Sequence, residues 1–335
     1  MLTLLIAAIS GGSSYILTAA MRAYAQRHDL LDRPNARSSH TTPTPRGGGI
    51  AIVVATLIGF ALSALTNISD TRELVVLAIG TVVIGAIGIM DDSRGVKAAP
   101  RLAVHAAVAI WTVVMLNGLP TLQIGRDYVQ LGITGSALAV LGIVWSINLF
   151  NFMDGIDGLA GSQAVFVFGT AAALLFWRGD HSLGAISLCV SGSIAGFLAW
   201  NWPPAKIFMG DVGSGVIGYL VAAVAIASEN RRSVPLLAFV IVAGLFIADA
   251  TVTLLRRRAR GERPTEAHRQ HAYQRLSRVW NSHRKVTVAA LAATAFLALL
   301  ATAGTVKNEL LLPAFCVACV FVAALILTIE RRAPM

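Results

Sequence analysis

Apolar residues run along the chain in long blocks separated by short polar connections. Each block is long enough to cross a hydrocarbon core of about 30 Å. Because backbone groups in lipid must pair within their own segment, we interpret every block as an α-helix. Eleven helices are predicted, at 2–21, 48–66, 73–90, 102–118, 136–152, 160–177, 183–201, 213–228, 234–255, 286–304 and 309–329. The predicted fold class is all-α, a polytopic transmembrane helix bundle that forms a single domain over 1–335.

The composition agrees with this pattern. Hydrophobic residues make up 56% of the 335 positions and charged residues only 13%, which is too apolar for a soluble domain. The first block starts at Leu2 without a basic segment before it and exceeds the length of a signal-peptide core, so it predicts a helix. Cys316 and Cys319 lie inside the last apolar block, where a packing role is favoured over a redox or metal role.

The distribution of basic residues predicts the orientation in the membrane. Of the 27 Lys and Arg residues, 21 fall in connections on one side of the predicted bundle. Such connections are typically cytoplasmic, so we expect the N-terminus in the periplasm and the C-terminus in the cytoplasm. Arg231 and Arg232 are a local exception. The net charge of +10 follows this topology, and nucleic acid is not an expected partner.

The connections with unusual chemistry all fall on the predicted cytoplasmic side, at 22–47, 91–101, 152–159, 202–212 and 256–285. A charged residue at the centre of a membrane helix costs roughly 2.5–3.5 kcal/mol of insertion free energy. Charged residues beside such helices therefore usually mark a functional site. The stretch Asn148–Gly158 carries Asn151, Asp154 and Asp157 directly after an apolar block. We interpret this stretch as part of a site rather than as an ordinary polar loop.

Two further connections add carboxylates. Asp91 and Asp92 are adjacent and are followed by Arg94, Lys97 and Arg101. Neighbouring carboxylates repel unless a cation lies between them, and oxygen ligands with substrate phosphates are the usual environment of Mg²⁺. In the other connection, Asp211 lies between glycines. Phe208 precedes it, where the ring suits stacking on a flat group or anchoring at the membrane interface.

The first and ninth connections suit a phosphate-bearing substrate. Arg46 precedes Gly47, Gly48 and Gly49, and glycines that open a helix allow an anion to approach its N-terminus closely. The ninth connection is strongly basic and carries His268 and His271 on one helix face. Zinc is not expected because no H-E-x-x-H pattern occurs. Asp249 precedes an arginine run, and its role as an arginine partner or as a catalytic group stays open.

Four motifs occur in order, P-T-P-R-G-G-G, D-D, N-F-M-D-G-I-D-G and F-M-G-D-V-G-S, followed by the histidine-bearing basic connection. Together they resemble the polyprenyl-phosphate N-acetylhexosamine-1-phosphate transferase family over nearly the whole chain. Eleven helices with an outside N-terminus are similar to the branch that initiates O-antigen and related polysaccharides. The phospho-N-acetylmuramoyl-pentapeptide transferase branch has ten helices and consecutive histidines. That branch is only the alternative, because this chain has His268-Arg-Gln-His271 in place of consecutive histidines.

The resemblance implies transfer of an N-acetylhexosamine-1-phosphate from a UDP-sugar to undecaprenyl phosphate, with release of UMP, in the bacterial inner membrane. It implies Mg²⁺, with Mn²⁺ as a substitute, and leaves open whether the protein forms a homodimer. The implied metal ligands are Asp211 and Asp92; the implied nucleotide contacts are Asn151, Asp154, Asp157 and Phe208. Lys97 and His271 would meet phosphates, Arg46 and His268 would bind substrate, and Asp91 is a base or an orienting group. A transporter is disfavoured because no internal repeat is evident.

The predicted orientation is testable by labelling single cysteines in a variant that lacks Cys189, Cys316 and Cys319. Cysteines placed in 152–159 or 202–212 should react with a membrane-impermeant maleimide only after the cells are opened. A cysteine next to Asp154 that labels in intact cells would contradict the orientation.

Overall fold

The computed structural model describes residues 1–34, 42–262 and 268–334, and its architecture is a bundle of long α-helices. The predicted connections 22–47 and 256–285 lie partly outside these described residues. The helices are α1 Leu2–Arg27, α2 Gly49–Leu65, α3 Thr71–Arg94, α4 Ala98–Met115, α5 Gly132–Met153, α6 Leu159–Trp177, α7 His181–Asn201, α8 Gly210–Asn230, α9 Leu236–Val242, α10 Gly244–Ala259, α11 Ala272–Trp280, α12 His283–Val306 and α13 Leu311–Arg332. Short antiparallel pairs join β1 Leu31–Asp32 to β2 Thr44–Pro45, and β3 Thr121–Ile124 to β4 Asp127–Gln130.

All the predicted apolar blocks are helical, which confirms the all-α polytopic membrane fold. Within the described ranges, nine helices are long and apolar enough to cross a membrane, and the pair α9–α10 makes a tenth if it is one span. The second predicted block, α2, has 17 residues and falls short of that length. The eleven predicted helices are therefore present, but not all of them qualify as separate crossings.

The ninth predicted helix, 234–255, is broken. α9 and α10 meet at an angle of 72°, and Ala243 lies between them. Gly244 begins α10, and glycine is among the residues at which sharp helix kinks occur. Periodicity did not reveal the break because the residues on both sides are apolar. The bend turns α10 away from α9 and leaves space beside it.

Several elements were not predicted. α11 lies inside the predicted connection 256–285 and buries Tyr273 and Leu276, while Arg278 is exposed. The β3–β4 hairpin turns at Gly125, which has a positive φ of 67°. Both elements are too short and too polar to stand out beside the long apolar blocks.

All the acidic and glycine-rich motifs meet at one end of the bundle, which we call the site end. α8 is largely buried and begins there, between α2 and α3. A side chain on Gly88 would place its Cβ 2.5 Å from the Cα of Val212, and one on Gly49 would reach within 2.5 Å of the Cα of Gly213. These glycines let α3 and α2 approach the start of α8 closely.

The opposite end explains the exception to the charge bias. The Arg231 guanidinium lies 2.6 Å from Glu73, 3.3 Å from Asp180 and 3.6 Å from Asp70. Three carboxylates therefore surround this one cation: Glu73 in the first turn of α3, and the N-cap residues Asp70 of α3 and Asp180 of α7. Glu229 accepts hydrogen bonds from the backbone amides of Gln123 and Leu236, at 2.6 Å each, and joins the β3–β4 hairpin to the bundle.

We expect Gly88→Ala to destabilise the protein. The added methyl group meets the backbone of α8, and overpacking of this kind costs about 1–3 kcal/mol. Thermal unfolding in detergent should show a lower Tm than wild type. Gly12→Ala is the matched control, because a Cβ at Gly12 meets nothing within 4 Å. Equal Tm values for the two variants would contradict the proposed close packing.

Candidate active site

Asp92 fixes the start of α8. Its Oδ1 accepts a hydrogen bond from the Asp211 amide at 3.0 Å, and its Oδ2 accepts one from the Val212 amide at 3.3 Å. The first amides of a helix have no partners within it, and a carboxylate there also meets the positive end of the helix dipole. Asp92 therefore stabilises the helix that presents Asp211, in addition to any role toward a metal.

Arg101 connects two carboxylates from different helices. Its Nη1 donates to Oδ2 of Asp91 and lies 3.3 Å from Oδ2 of Asp211. The other oxygen of Asp91 accepts a hydrogen bond from the Val96 amide at 2.7 Å. One guanidinium thus joins the end of α3 to the start of α8.

The expected phosphate contact on this side is Lys97, and Arg101 carries no expected role. Lys97 is exposed at the start of α4. Arg101 lies one helical turn further on, and its amide donates to the Lys97 carbonyl at 3.3 Å. The signal was available, because residues four apart on a helix share a face and both follow the acidic pair Asp91 and Asp92.

The end of α5 adds Asn151 and Asp154 to the same cluster. The Asn151 side chain lies close enough to Asp211 to act on its carboxylate. Asp154 follows the last helical residue and faces the charges of Asp211, Asp92 and Asp157. Burial, followed by these three negative charges, raises the pKa of the Asp154 carboxyl well above its usual range. The cluster therefore has more negative charge than its own cations neutralise.

Asp157 and Phe208 line a cleft of about 320 Å³ beside this cluster. The Asp157 carboxylate accepts a hydrogen bond from the Ala205 amide at 3.0 Å and lies 3.2 Å from Nδ1 of His283. Thr44, Arg269 and Arg278 also line the cleft. The predicted nucleotide contacts Asp157 and Phe208 thus share one concave space.

The interpretation of the glycine motif as an anion cradle is wrong. The amides of Gly48 and Gly49 donate to the carbonyls of Phe208 and Met209, at 2.9 Å each, so they do not face a ligand. The glycines instead let this segment pair with the segment before α8. Arg46, which precedes them, lies close enough to Asp92 for its charge to act on that carboxylate.

His268 and His271 lie together just before α11, with ring centroids 4.8 Å apart. The backbone of 268–271 is not helical, so the expectation that the two share one helix face is wrong. His271 is buried and stacks on Phe152, at 6.1 Å between centroids. Burial and the neighbouring charges of His271 and Arg257 lower the pKa of His268 to about 4. The Gln270 amide donates to Nδ1 of the neutral His268 at 3.3 Å, so its proton is on Nε2.

The oxygen donors of the cluster suit a divalent cation that arrives with its substrate. Within the described ranges, no three His, Cys, Asp or Glu side chains are arranged to hold a metal by themselves. Mg²⁺ commonly takes one or two carboxylates together with substrate phosphates and waters. Asp211, Asp154 and Asn151 are oxygen donors of this kind. Burial and, after it, the charges of neighbouring carboxylates raise the pKa of Asp154.

Comparison with known proteins identifies the family of the chain. Residues 74–229 match the family described as glycosyl transferase family 4. The chain is 31% identical over 276 residues to the probable undecaprenyl-phosphate N-acetylglucosaminyl 1-phosphate transferase of Bacillus subtilis, covering 80% of this chain and 75% of that protein. It is 33% identical over 306 residues to the decaprenyl-phosphate N-acetylglucosaminephosphotransferase of Mycobacterium tuberculosis, covering 82% and 76%.

A third relative comes from the other branch. The phospho-N-acetylmuramoyl-pentapeptide-transferase of Frankia alni is 32% identical over 264 residues, covering 67% of this chain and 73% of that protein. Sequence identity therefore does not separate the two branches.

A multi-pass helical membrane protein with carboxylates, arginines and histidines gathered at one end is a membrane-embedded enzyme for a phosphorylated substrate. The chain belongs to the polyprenyl-phosphate N-acetylhexosamine-1-phosphate transferase family, within glycosyl transferase family 4. The predicted family is confirmed. The family's acceptor is a polyprenyl phosphate and its donor is a nucleotide sugar.

We expect Asp154→Asn to stabilise the protein. A carboxyl whose pKa is raised by folding penalises the folded state once it ionises, and the penalty vanishes as the pH falls toward the ordinary value of 3.8. At mildly alkaline pH the Tm of the variant should be about 2–4 °C above that of wild type, which corresponds to roughly 1 kcal/mol in the free energy of unfolding. The difference should shrink in acid and in millimolar Mg²⁺.

Asp157→Asn is the control for this measurement. Its carboxylate is already engaged by the Ala205 amide and lies beside His283, so neutralising it should not raise the Tm. A Tm for Asp154→Asn below wild type at alkaline pH would refute the charge imbalance.

Proposed function

We propose that this protein transfers N-acetylhexosamine-1-phosphate from a UDP-sugar to undecaprenyl phosphate and releases UMP. In this proposal the site end faces the cytoplasm across a bacterial inner membrane, and the product initiates a cell-surface polysaccharide such as O-antigen. The observation that carries the proposal is the shared guanidinium of Arg101, which joins Asp91 to Asp211 beside the cleft of Asp157 and Phe208.

The donor nucleotide fits the cleft. Phe208 offers a flat face for the base, and Asp157 offers a carboxylate held in place by the Ala205 amide. The diphosphate would then extend toward Arg46 and Arg101. Asp211, with Asp92 and Asp154 close by, would hold Mg²⁺, which supplies charge neutralisation to the diphosphate when bound.

The acceptor chain fits an apolar cavity of about 320 Å³ between α5, α8 and the broken pair α9–α10. Leu149 and Phe150 line it next to Asn151, so it reaches the site. Phe239 and Ile247 line it on either side of the bend. A polyprenyl tail along this cavity would leave its phosphate near Asp91 and Arg101.

The reaction needs mostly positioning and charge neutralisation, as phosphoryl transfers do. A phosphate monoester has a second pKa of about 6, so the attacking acceptor is already largely dianionic at neutral pH. Asp91 therefore acts by orienting Arg101 in our proposal, rather than as a base. His271 and Lys97 are assigned to phosphate contacts, and His268 and Asn151 to substrate binding.

The second candidate is transfer of phospho-N-acetylmuramoyl-pentapeptide. The relative from Frankia alni favours it, at an identity similar to the others. The pair His268-Arg-Gln-His271 argues against it, because the consecutive histidines of that branch are absent here.

Purified protein should be offered a panel of UDP-N-acetylhexosamines and UDP-N-acetylmuramoyl-pentapeptide, with undecaprenyl phosphate, and the lipid product weighed by mass spectrometry. We expect a lipid-linked diphospho-N-acetylhexosamine and UMP. Preferential turnover of the pentapeptide donor would establish the second candidate, and no lipid product from any donor would refute the proposal.

Two carboxylate variants should fail differently in the same assay. Asp211→Asn removes the proposed metal ligand, and turnover should fall by roughly 10²–10³-fold or more. Asp157→Asn should mainly weaken donor binding, by about ten- to a hundredfold, as for a lost hydrogen bond to a charged group. Calorimetric titration with UMP in the presence of Mg²⁺ separates the effects. Unchanged UMP affinity in Asp157→Asn would contradict the assigned nucleotide contact.

A further inference from the structure

Asp249 joins α10 to the start of α11. It is 4% exposed, and its Oδ1 accepts hydrogen bonds from the Ala272 amide at 2.8 Å and the Thr253 hydroxyl at 3.1 Å. Its Oδ2 accepts one from the Tyr273 amide at 3.1 Å. Ala272 and Tyr273 are the first residues of α11, and their amides have no partner within that helix. The carboxylate thus closes the helix N-terminus from a neighbouring helix.

The same carboxylate faces His271. Nδ1 of His271 lies 3.4 Å from Oδ1 of Asp249, and the imidazole is 2% exposed between the rings of Phe152 and Tyr273. The two groups are in contact but form no hydrogen bond, so the position of the imidazole depends on where the N-terminus of α11 is held.

α11 also rests on the segment that carries the carboxylates of the site. The Tyr273 hydroxyl donates to the Phe152 carbonyl at 2.9 Å. Gly155 has no room for a side chain, since a Cβ there would lie 2.8 Å from Nε2 of Gln274. A shift of the α11 N-terminus would therefore move His271 relative to the segment between Asn151 and Asp157.

We propose that Asp249 is a positioning residue, which holds His271 in place by clamping the first two amides of α11. This resolves the alternatives left open by the sequence, because the described hydrogen bonds of the carboxylate go to α11 and to Thr253. The contribution to turnover rests on the proposed function, in which His271 meets a substrate phosphate. The clamp itself does not depend on that function.

The first test is Asp249→Asn in the full-length protein in detergent. Asparagine keeps the shape but places an amino group where one backbone amide donates. Amide hydrogen exchange of a peptide spanning 272–276 should become faster than in wild type. We expect kcat to fall by about 10–100-fold, because small displacements of catalytic groups reduce turnover by factors of this size. The donor KM should stay within about threefold of wild type. Unchanged exchange in 272–276 would overturn the clamp.

Thr253→Val is the matched control. It removes the hydroxyl that donates to the same carboxylate but leaves both amides of α11 paired. Exchange in 272–276 and kcat should stay near wild type. Losses as large as those of Asp249→Asn would show a general effect on packing around α10 and would overturn the positioning role.

A double-mutant cycle separates positioning from structural damage. If Asp249 acts through His271, then Asp249→Asn should cost little further kcat in a His271→Ala background, because interacting residues are non-additive. Fully additive losses would overturn the proposal. If the wild-type protein shows no transferase activity, the proposed function fails, while the exchange measurement still decides the clamp.

A second variant removes a clamp bond without a change of charge. Ala272→Pro deletes one amide at the first helical position, where proline is well tolerated. The preceding His271 has ψ of 146°, which suits a residue before proline. If Asp249→Asn does not fold, Ala272→Pro provides the test instead. Faster amide exchange in 273–276 together with a lower kcat would support the clamp. Wild-type exchange and wild-type kcat would overturn it.

Discussion

The capping of α8 by Asp92 is the interaction on which the rest of the site depends. Two backbone amides at the start of a buried helix need acceptors, and the carboxylate of Asp92 supplies both. The contact exists because Gly88 lets α3 lie against the backbone of Val212. Asp211 lies in the first turn of the same helix. The packing of α3 against α8 therefore also determines the position of the Asp211 carboxylate.

At both ends of the bundle, carboxylates outnumber the cations that lie against them. At the site end, Asp91, Asp92, Asp154 and Asp211 share the cations of Arg101 and Arg46, which leaves an excess of negative charge. At the other end, Arg231 alone meets three carboxylates. An unbalanced acidic cluster at the end of a membrane bundle is costly. It is consistent with a site completed by a divalent cation and a diphosphate in our proposal.

The broken pair α9–α10 contacts both the apolar cavity proposed for the acceptor and the polar region around His271. Ile247 of α10 lines the cavity assigned to the polyprenyl chain, and Asp249, two residues further on, caps the helix that begins beside His271. The acceptor cavity and the histidine therefore share one short helix. Movement of α10 would therefore displace both the lining of the cavity and the residues around His271. A straight ninth helix would not leave the same space for the cavity.

The sequence by itself determined the membrane class, the apolar blocks and the family, because hydrophobic length and motif order are local properties that survive any packing. It also named most residues that meet at the site end. Only the tertiary structure decided that Arg101 and not Lys97 contacts the carboxylates, that Gly48 and Gly49 serve helix approach, and that Asp249 caps α11. These depend on which helices face each other, and pairing between distant segments leaves no periodic signal in the chain.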